Sequence, residues 1–164
     1  MFYHEGEFDS ALPQLHEALT LFGREHFATG RVLDTFGMVY AGKDNFHAAR
    51  EFYEQALGCK QRSGDDAGLA LSHGQLGRLS LDWGHLDKAE KHFKEDLEIA
   101  RRIGDERGEA QMYNHLGQVA LARRQWEDAA AWLDESIHRS EGNGRYRRAT
   151  LAKIVRSCLS LRAI

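Results

Sequence analysis

The chain has 164 residues, of which 42% are hydrophobic and 29% are charged, so it can build a continuous core and does not resemble a disordered chain. The formal net charge of −3 gives no general attraction to nucleic acid or to an anionic membrane, and no apolar run approaches the roughly 20 residues of a membrane span. The length, with no Pro- or Ser-rich linker, predicts a single domain over residues 1–164.

The first predicted element is a helix that begins near Gly6 and carries one apolar face. The residues of that face are Ala11, Leu15 and Leu19. Pro13 is compatible with this helix in its first turn, whereas further inside it would kink the helix. The segment matches the second helix of the units that follow, so its own first helix is missing or reduced to Met1–His4. The connection near Gly23-Arg24-Glu25 is predicted to be shortened.

Three units with a period of forty residues come next, and several positions recur in register. Each unit has an apolar residue followed by glycine, then an alanine twelve residues later, and a large apolar residue four positions further on. The pairs are Phe36-Gly37, Leu76-Gly77 and Leu116-Gly117; the alanines are Ala49, Ala89 and Ala129; the large residues are Tyr53, Phe93 and Leu133. Several positions repeating together at one period predict a repeat architecture.

Each unit is predicted to be a pair of helices. In the unit that contains Leu76-Gly77, one apolar helix face is formed by Leu86, Phe93 and Leu97. Charged pairs four residues apart occupy the opposite face. These charged pairs include Glu90 with Lys94 and Glu98 with Arg102. A glycine inside the first helix of a unit lowers the stability of that helix by about 1 kcal/mol relative to alanine. We therefore expect the paired helix to approach closely at these glycines, with its repeated alanine as the other small surface.

The Gly-Asp dipeptides at 64–65 and 104–105 predict the junctions between units. The glycine can adopt the left-handed conformation that closes a helix, and the aspartate can accept hydrogen bonds from the free N–H groups of the next helix. Gly144 keeps the same register once more, followed by Arg145.

Residues 146–162 are predicted to form a last, degenerate capping helix. It is basic through Arg145, Arg147, Arg148, Lys153, Arg156 and Arg162. We expect these cations to face solvent or an acidic partner rather than nucleic acid. The same segment is more apolar than a solvent-facing cap requires, and solenoid ends expose a core face unless something covers it. We therefore expect either a fragment of a longer chain or association end to end.

The repeated positions resemble the tetratricopeptide repeat (TPR), in a longer variant of forty residues, over about residues 6–145. Two positions depart from the family pattern: only Tyr40 supplies the aromatic residue of the first helix, and Asp96 and Ser136 replace the late small residue that Ala56 supplies. The resemblance implies an all-α, right-handed solenoid of antiparallel helix pairs with about eight helices. It also implies a protein- or peptide-binding scaffold or regulatory module.

By the same resemblance, the first helix of each pair lines a concave groove. The predicted binding residues are Arg31, Asp34, Met38, Gln75, Arg78, Gln111, Asn114 and Gln118. Asn and Gln can donate and accept hydrogen bonds at once, so they suit the backbone of an extended peptide, while Arg suits a carboxylate. Any one of these residues fits a polar groove without a peptide ligand equally well. The positions Phe52, His92 and Trp132 are interpreted as partly buried between units, or as an outer contact surface.

Catalytic motifs are absent from the sequence: it has no HExxH, CxxC, Gly-x-Ser-x-Gly or phosphate-binding glycine loop. The nine histidines give no converging set of metal ligands. We therefore predict no enzyme activity, cofactor or metal, and a protein or peptide partner rather than nucleic acid or membrane. Two distant cysteines, Cys59 and Cys158, favour a reducing cytoplasm. The alternative function is a self-association module joined through the incomplete solenoid ends.

Overall fold

A computed structural model describes residues 5–22 and 28–140, with side chains from Leu12 onward. These residues form seven helices: α1 (Glu5–Phe22), α2 (Thr29–Gly42), α3 (Phe46–Ser63), α4 (Asp66–Asp82), α5 (Leu86–Ile103), α6 (Glu106–Ala122) and α7 (Trp126–Ser140). The described ranges contain no strand, and the prediction of an all-α chain of helix pairs is confirmed. The predicted segment Met1–His4, the connection at 23–25, Cys158 and the basic helix over 146–162 lie outside the described residues.

From α2 onward the helices are joined by only two or three residues, so each packs antiparallel to the next. The pairs α2–α3, α4–α5 and α6–α7 make the most extensive contacts, and each pair packs on the following one. The first helices also touch across pairs, α2 with α4 and α4 with α6. Among the described helices no such contact joins α3, α5 and α7, so the first helices lie on the inner, concave side of the stack.

The large apolar residue of each second helix forms the centre of the core. Phe93 is fully buried, and a Cβ atom added to Gly77 would lie 2.5 Å from its Cε1 atom. The equivalent distances are 2.5 Å between Gly37 and Tyr53 and 2.7 Å between Gly117 and Leu133. The predicted close approach of the paired helix is confirmed, but the residue predicted to make the contact was wrong. The nearest atoms belong to the large side chain rather than to the repeated alanine, because a ring or a leucine reaches further from its helix axis than a methyl group.

The junctions between units have the predicted capping geometry. Gly64 and Gly104 adopt φ angles of 69° and 73°, in the left-handed region that closes a helix C-terminus. The Asp65 side chain accepts a hydrogen bond from the backbone N–H of Gly68 at 2.8 Å, and Asp105 does the same one unit later. This prediction is therefore confirmed at both junctions.

Pro13 lies inside α1, well past the first turn of a helix that begins at Glu5. Of the two predicted alternatives, the first-turn position is therefore wrong. A proline at this depth has no N–H to donate, so α1 lacks one of its backbone hydrogen bonds.

Candidate functional site

The eight predicted groove residues lie on the three first helices. Three of them are on α2 (Arg31, Asp34, Met38), two on α4 (Gln75, Arg78) and three on α6 (Gln111, Asn114, Gln118). Seven of these eight side chains are exposed or half-buried, and Met38 is 53% exposed. Asp34 is the exception, since it is only 5% exposed.

A cleft of about 310 Å³ between α4 and α6 brings three of the predicted residues together. Gln75 and Arg78 line it from α4, and Gln111 lines it from α6. A second cleft, between α6 and α7, has Gln111 and Asn114 in its wall. One turn along α6 the Gln118 Nε2 atom donates a hydrogen bond to Asn114 Oδ1 at 2.6 Å. The two amides therefore hold each other in place on the groove surface.

Arg31 and Met38 line neither cleft, although both are exposed on α2. The predicted set is therefore divided. Gln75, Arg78 and Gln111 converge on the first cleft. Asn114 lines the second cleft, and Gln118, like the exposed α2 members, lines neither.

Asp34 lies below the groove surface in a buried polar cluster. Its carboxylate is ion-paired with the ammonium of Lys60, and it accepts a hydrogen bond from the Ser72 hydroxyl at 2.9 Å. Lys60 Nζ also donates to Ser72 Oγ at 2.8 Å. Lys60 is 2% exposed and Ser72 is fully buried, so the three groups satisfy one another away from water. The Asp34 carboxylate therefore has its partners within the chain.

Asp96 lines the cleft between α4 and α6, where sequence reasoning placed no functional residue. It comes from α5 and is 5% exposed. Burial, with a smaller effect of the Asp105 charge, raises the pKa of Asp96 to about 7. The signal in the sequence was an acidic residue at the position of Ala56 and Ser136, facing a first helix that carries Gly74. In the sequence this residue is only a departure from the small residue of the family pattern, and nothing local marks it as part of a site.

Positive charge lies toward the other end of the same cleft. Arg78 lines it together with His115, and burial, followed by the Arg78 charge, lowers the pKa of His115. The cleft is therefore acidic around Asp96 and Asp105 and basic around Arg78.

The aromatic column of the second helices packs inside each helix pair. Phe52 stacks on Phe36 with ring centroids 4.8 Å apart, and Trp132 stacks on Tyr113 at 5.7 Å. The Nδ1 atoms of His92 and His73 lie 3.1 Å apart. All three column residues are half-buried, as expected. Each of these side chains contacts the first helix of its own pair. Trp132 also packs against the core cluster that contains Ala89 and Phe93 of the preceding unit.

In the part of the chain that the structure describes, no three His, Cys, Asp or Glu side chains group as ligands for a metal ion. None of the described helices combines the length and the apolar character needed to cross a membrane.

Comparisons with known proteins identify the repeat family. The family model described as the MalT-like TPR region matches residues 1–162. The crystal structure of BtubC (BKLC) from P. vanneervenii is similar to this chain, with a TM-score of 0.76 and 20% sequence identity over 95% of this chain and 72% of that one. At that identity the likeness shows the fold alone. No curated protein sequence matches the chain.

Proposed function

Because this chain belongs to the family of MalT-like TPR regions, we propose that it is a protein-interaction module that holds a peptide segment of a partner in the groove of α2, α4 and α6. The observation that carries the proposal is the cleft between α4 and α6, where Gln75, Arg78 and Gln111 converge. These residues lie on two adjacent first helices, so a ligand in this cleft would contact two repeat units at once.

The chemistry of the cleft suits an extended peptide. A peptide strand outside a sheet carries unpaired N–H and C=O groups, and a glutamine amide can donate to one and accept from the other. Gln75 and Gln111 can make these bonds from opposite walls, and Arg78 can pair with a carboxylate of the ligand. TPR-like repeats are typically non-catalytic scaffolds, which agrees with a binding function.

The test is selection of peptides from a random phage-displayed library on the purified chain. We expect enriched peptides whose binding is weakened at least tenfold by the triple substitution Arg78→Ala, Asn114→Ala and Gln118→Ala. All three side chains are exposed, so the variant should keep its fold, which circular dichroism checks. The matched control is Lys91→Ala with Glu98→Ala, two exposed residues on α5, which should leave binding unchanged. Equal binding by both variants, or no enrichment at all, would show that the groove is not the interaction surface.

Self-association through the solenoid ends remains the alternative function. It is favoured by Leu21, a large apolar side chain that is 76% exposed near the end of α1, the first of the described helices. Light scattering over a concentration series separates this alternative from groove binding. A monomer at every concentration would exclude it, and a dimer that Leu21→Ser dissociates would support it.

A further inference from the structure

Two successive junctions of the repeat place different charges at the same structural position. At the first junction, α2, α3 and α4 are joined by the buried cluster of Asp34, Lys60 and Ser72. Here Lys60, near the end of the second helix α3, extends a long cationic side chain to the Asp34 carboxylate below the groove. An aliphatic cation therefore fits between adjacent repeat units when a carboxylate and neutral polar groups receive it.

Forty residues later, at the junction of α4, α5 and α6, the equivalent positions of this cluster are changed. They are Gly74, Ala100 and Met112. A carboxylate is nevertheless present, because Asp96 reaches the space beside Gly74 from α5. Its Oδ2 atom lies 2.7 Å from the place that a Cβ on Gly74 would take. The second junction thus keeps a carboxylate near the same spot, and Ala100 replaces the lysine.

The Asp96 carboxylate has no compensating partner in the chain. No hydrogen bond or ion pair reaches it from the residues that the structure describes, and the nearby Asp105 is also acidic. A carboxylate that is only 5% exposed loses most of its hydration, which disfavours its charged form unless a cation approaches it. Asp96 also lines the open cleft, so a group entering from the groove can reach it.

The mouth of the cleft fits the stem of a long cationic side chain. Leu71 and Ile103, which are 53% and 41% exposed, belong to the cleft lining, and Met112 contributes a further apolar surface. Lysine and arginine bury their methylene groups along apolar surfaces while their charged ends seek polar partners. The cleft therefore combines apolar walls, an acidic floor and the two glutamine amides on its rim.

We propose that the cleft between α4 and α6 is a specificity pocket that receives a lysine or arginine side chain of the bound peptide, with Asp96 pairing its cationic group. The inference deepens the proposed function and rests on the same groove. The ligand cation takes, at the second junction, the place that Lys60 takes at the first.

The test measures binding of butylammonium, the side chain of lysine without its backbone, by titration of amide NMR signals at constant ionic strength. We expect saturable shifts at Gly74, Gly108 and Met112 in the wild-type chain, and at least tenfold weaker binding in Asp96→Asn. The neutral analogue 1-butanol controls for the apolar walls and should bind at least tenfold more weakly. Glu98→Gln removes an exposed carboxylate from the same helix and should change nothing.

Equal butylammonium binding by wild type and Asp96→Asn would overturn the inference, as would equal binding of butanol and butylammonium to the wild type. If Asp96→Asn does not fold, Asp96→Ser gives the same test, because serine occupies this position in the next unit as Ser136.

Peptide selection keeps this inference distinct from the proposed function. Peptides that depend on Arg78 and Asn114, but lose no affinity when their lysines become norleucine, would leave groove binding standing and reject the cation pocket. Butylammonium binding that depends on Asp96, without any selected peptide, would support the pocket and reject the peptide groove.

Discussion

At the scale of single residues, the glycines of this chain differ in the space around them. Gly77 lies against the ring of Phe93, where an added Cβ would be 2.5 Å from Cε1 and both groups are fully enclosed by the core. Gly58 also lies in a helix, but an added Cβ would meet only the flexible end of Arg62, at 3.4 Å. The same substitution is therefore expected to have opposite effects at the two positions.

We expect Gly77→Ala to lower the free energy of unfolding by about 2 kcal/mol, because overpacking a close contact forces the ring or a helix to move. Gly58→Ala should raise it by about 0.5–1 kcal/mol, because alanine loses less conformational entropy in a helix. Urea unfolding of both variants measures the two changes. A stabilising Gly77→Ala would contradict the close approach seen at this contact.

At the scale of helices, exposed ion pairs and buried polar clusters differ in how much they contribute to the free energy of unfolding. The predicted pair of Glu90 with Lys94 is present at 2.6 Å. Arg102 was predicted to pair with Glu98, but it forms its ion pair with Asp66, at 2.7 Å. This pair links the end of α5 to the start of α4. Exposed pairs of this kind are each worth about 0–1 kcal/mol. The cluster around Lys60 is buried, so its loss has a larger effect.

We expect Lys60→Met alone to lower the free energy of unfolding by about 3–5 kcal/mol, since it leaves the Asp34 carboxylate buried without its counter-ion. Adding Asp34→Asn should recover most of that loss. Asparagine is neutral and can still form a hydrogen bond with Ser72. It is also the residue at the equivalent position two periods later, Asn114. A double-mutant cycle by urea unfolding measures the coupling. Additive losses in the double variant would show that the pair is not coupled.

At the scale of the whole molecule, the half-buried histidines His73 and His92 couple stability to pH. Burial, followed by the charge of His73, lowers the pKa of His92 to about 4, with Lys91 and Lys88 acting in the same direction and Glu95 against them. Burial also lowers the pKa of His73, where Glu95 again opposes the shift and Lys91 adds to it. The folded chain therefore binds fewer protons at these groups than the unfolded chain, whose histidines titrate near 6.5.

The stability that depends on a neutral His92 is present above about pH 6.5 and is lost as the pH falls through about 4. Asp96 acts in the opposite direction: its folded pKa of about 7 lies above the unfolded value, so its contribution is present below about pH 4 and is lost as the pH rises through 7. The pH dependence of the wild-type chain is therefore a sum of opposing terms, and a single-site variant is needed to separate them.

We expect His92→Phe to reduce the loss of stability between pH 7.5 and pH 5 by about 1 kcal/mol relative to wild type. Phenylalanine is the residue at the same position of the preceding unit, where Phe52 stacks within its helix pair. Urea unfolding at the two pH values measures the difference. His47→Phe is the matched control, since His47 is exposed and should leave the pH dependence unchanged. An unchanged pH dependence in His92→Phe would exclude this histidine as an acid-sensitive group.

The sequence by itself determined the repeat, the helix pairs and the junctions between them. These features depend on interactions within one or two turns of the chain. The capping bond from Gly68 to Asp65 spans three residues, and the left-handed turn at Gly64 needs only a residue without a Cβ. The same local features recur every forty residues, so the repeat could be recognised from the amino-acid sequence alone.

Only the tertiary structure decided which side chains meet across units. Asp34 occupies a predicted groove position, yet its partner is Lys60, 26 residues further along the chain. Asp96 stands where the neighbouring units have the small residues Ala56 and Ser136. The structure places it in the lining of a cleft, beside Gly74. Such contacts depend on how adjacent helices are rotated and shifted against one another. That geometry results from the packing of the whole stack, so no local pattern encodes it.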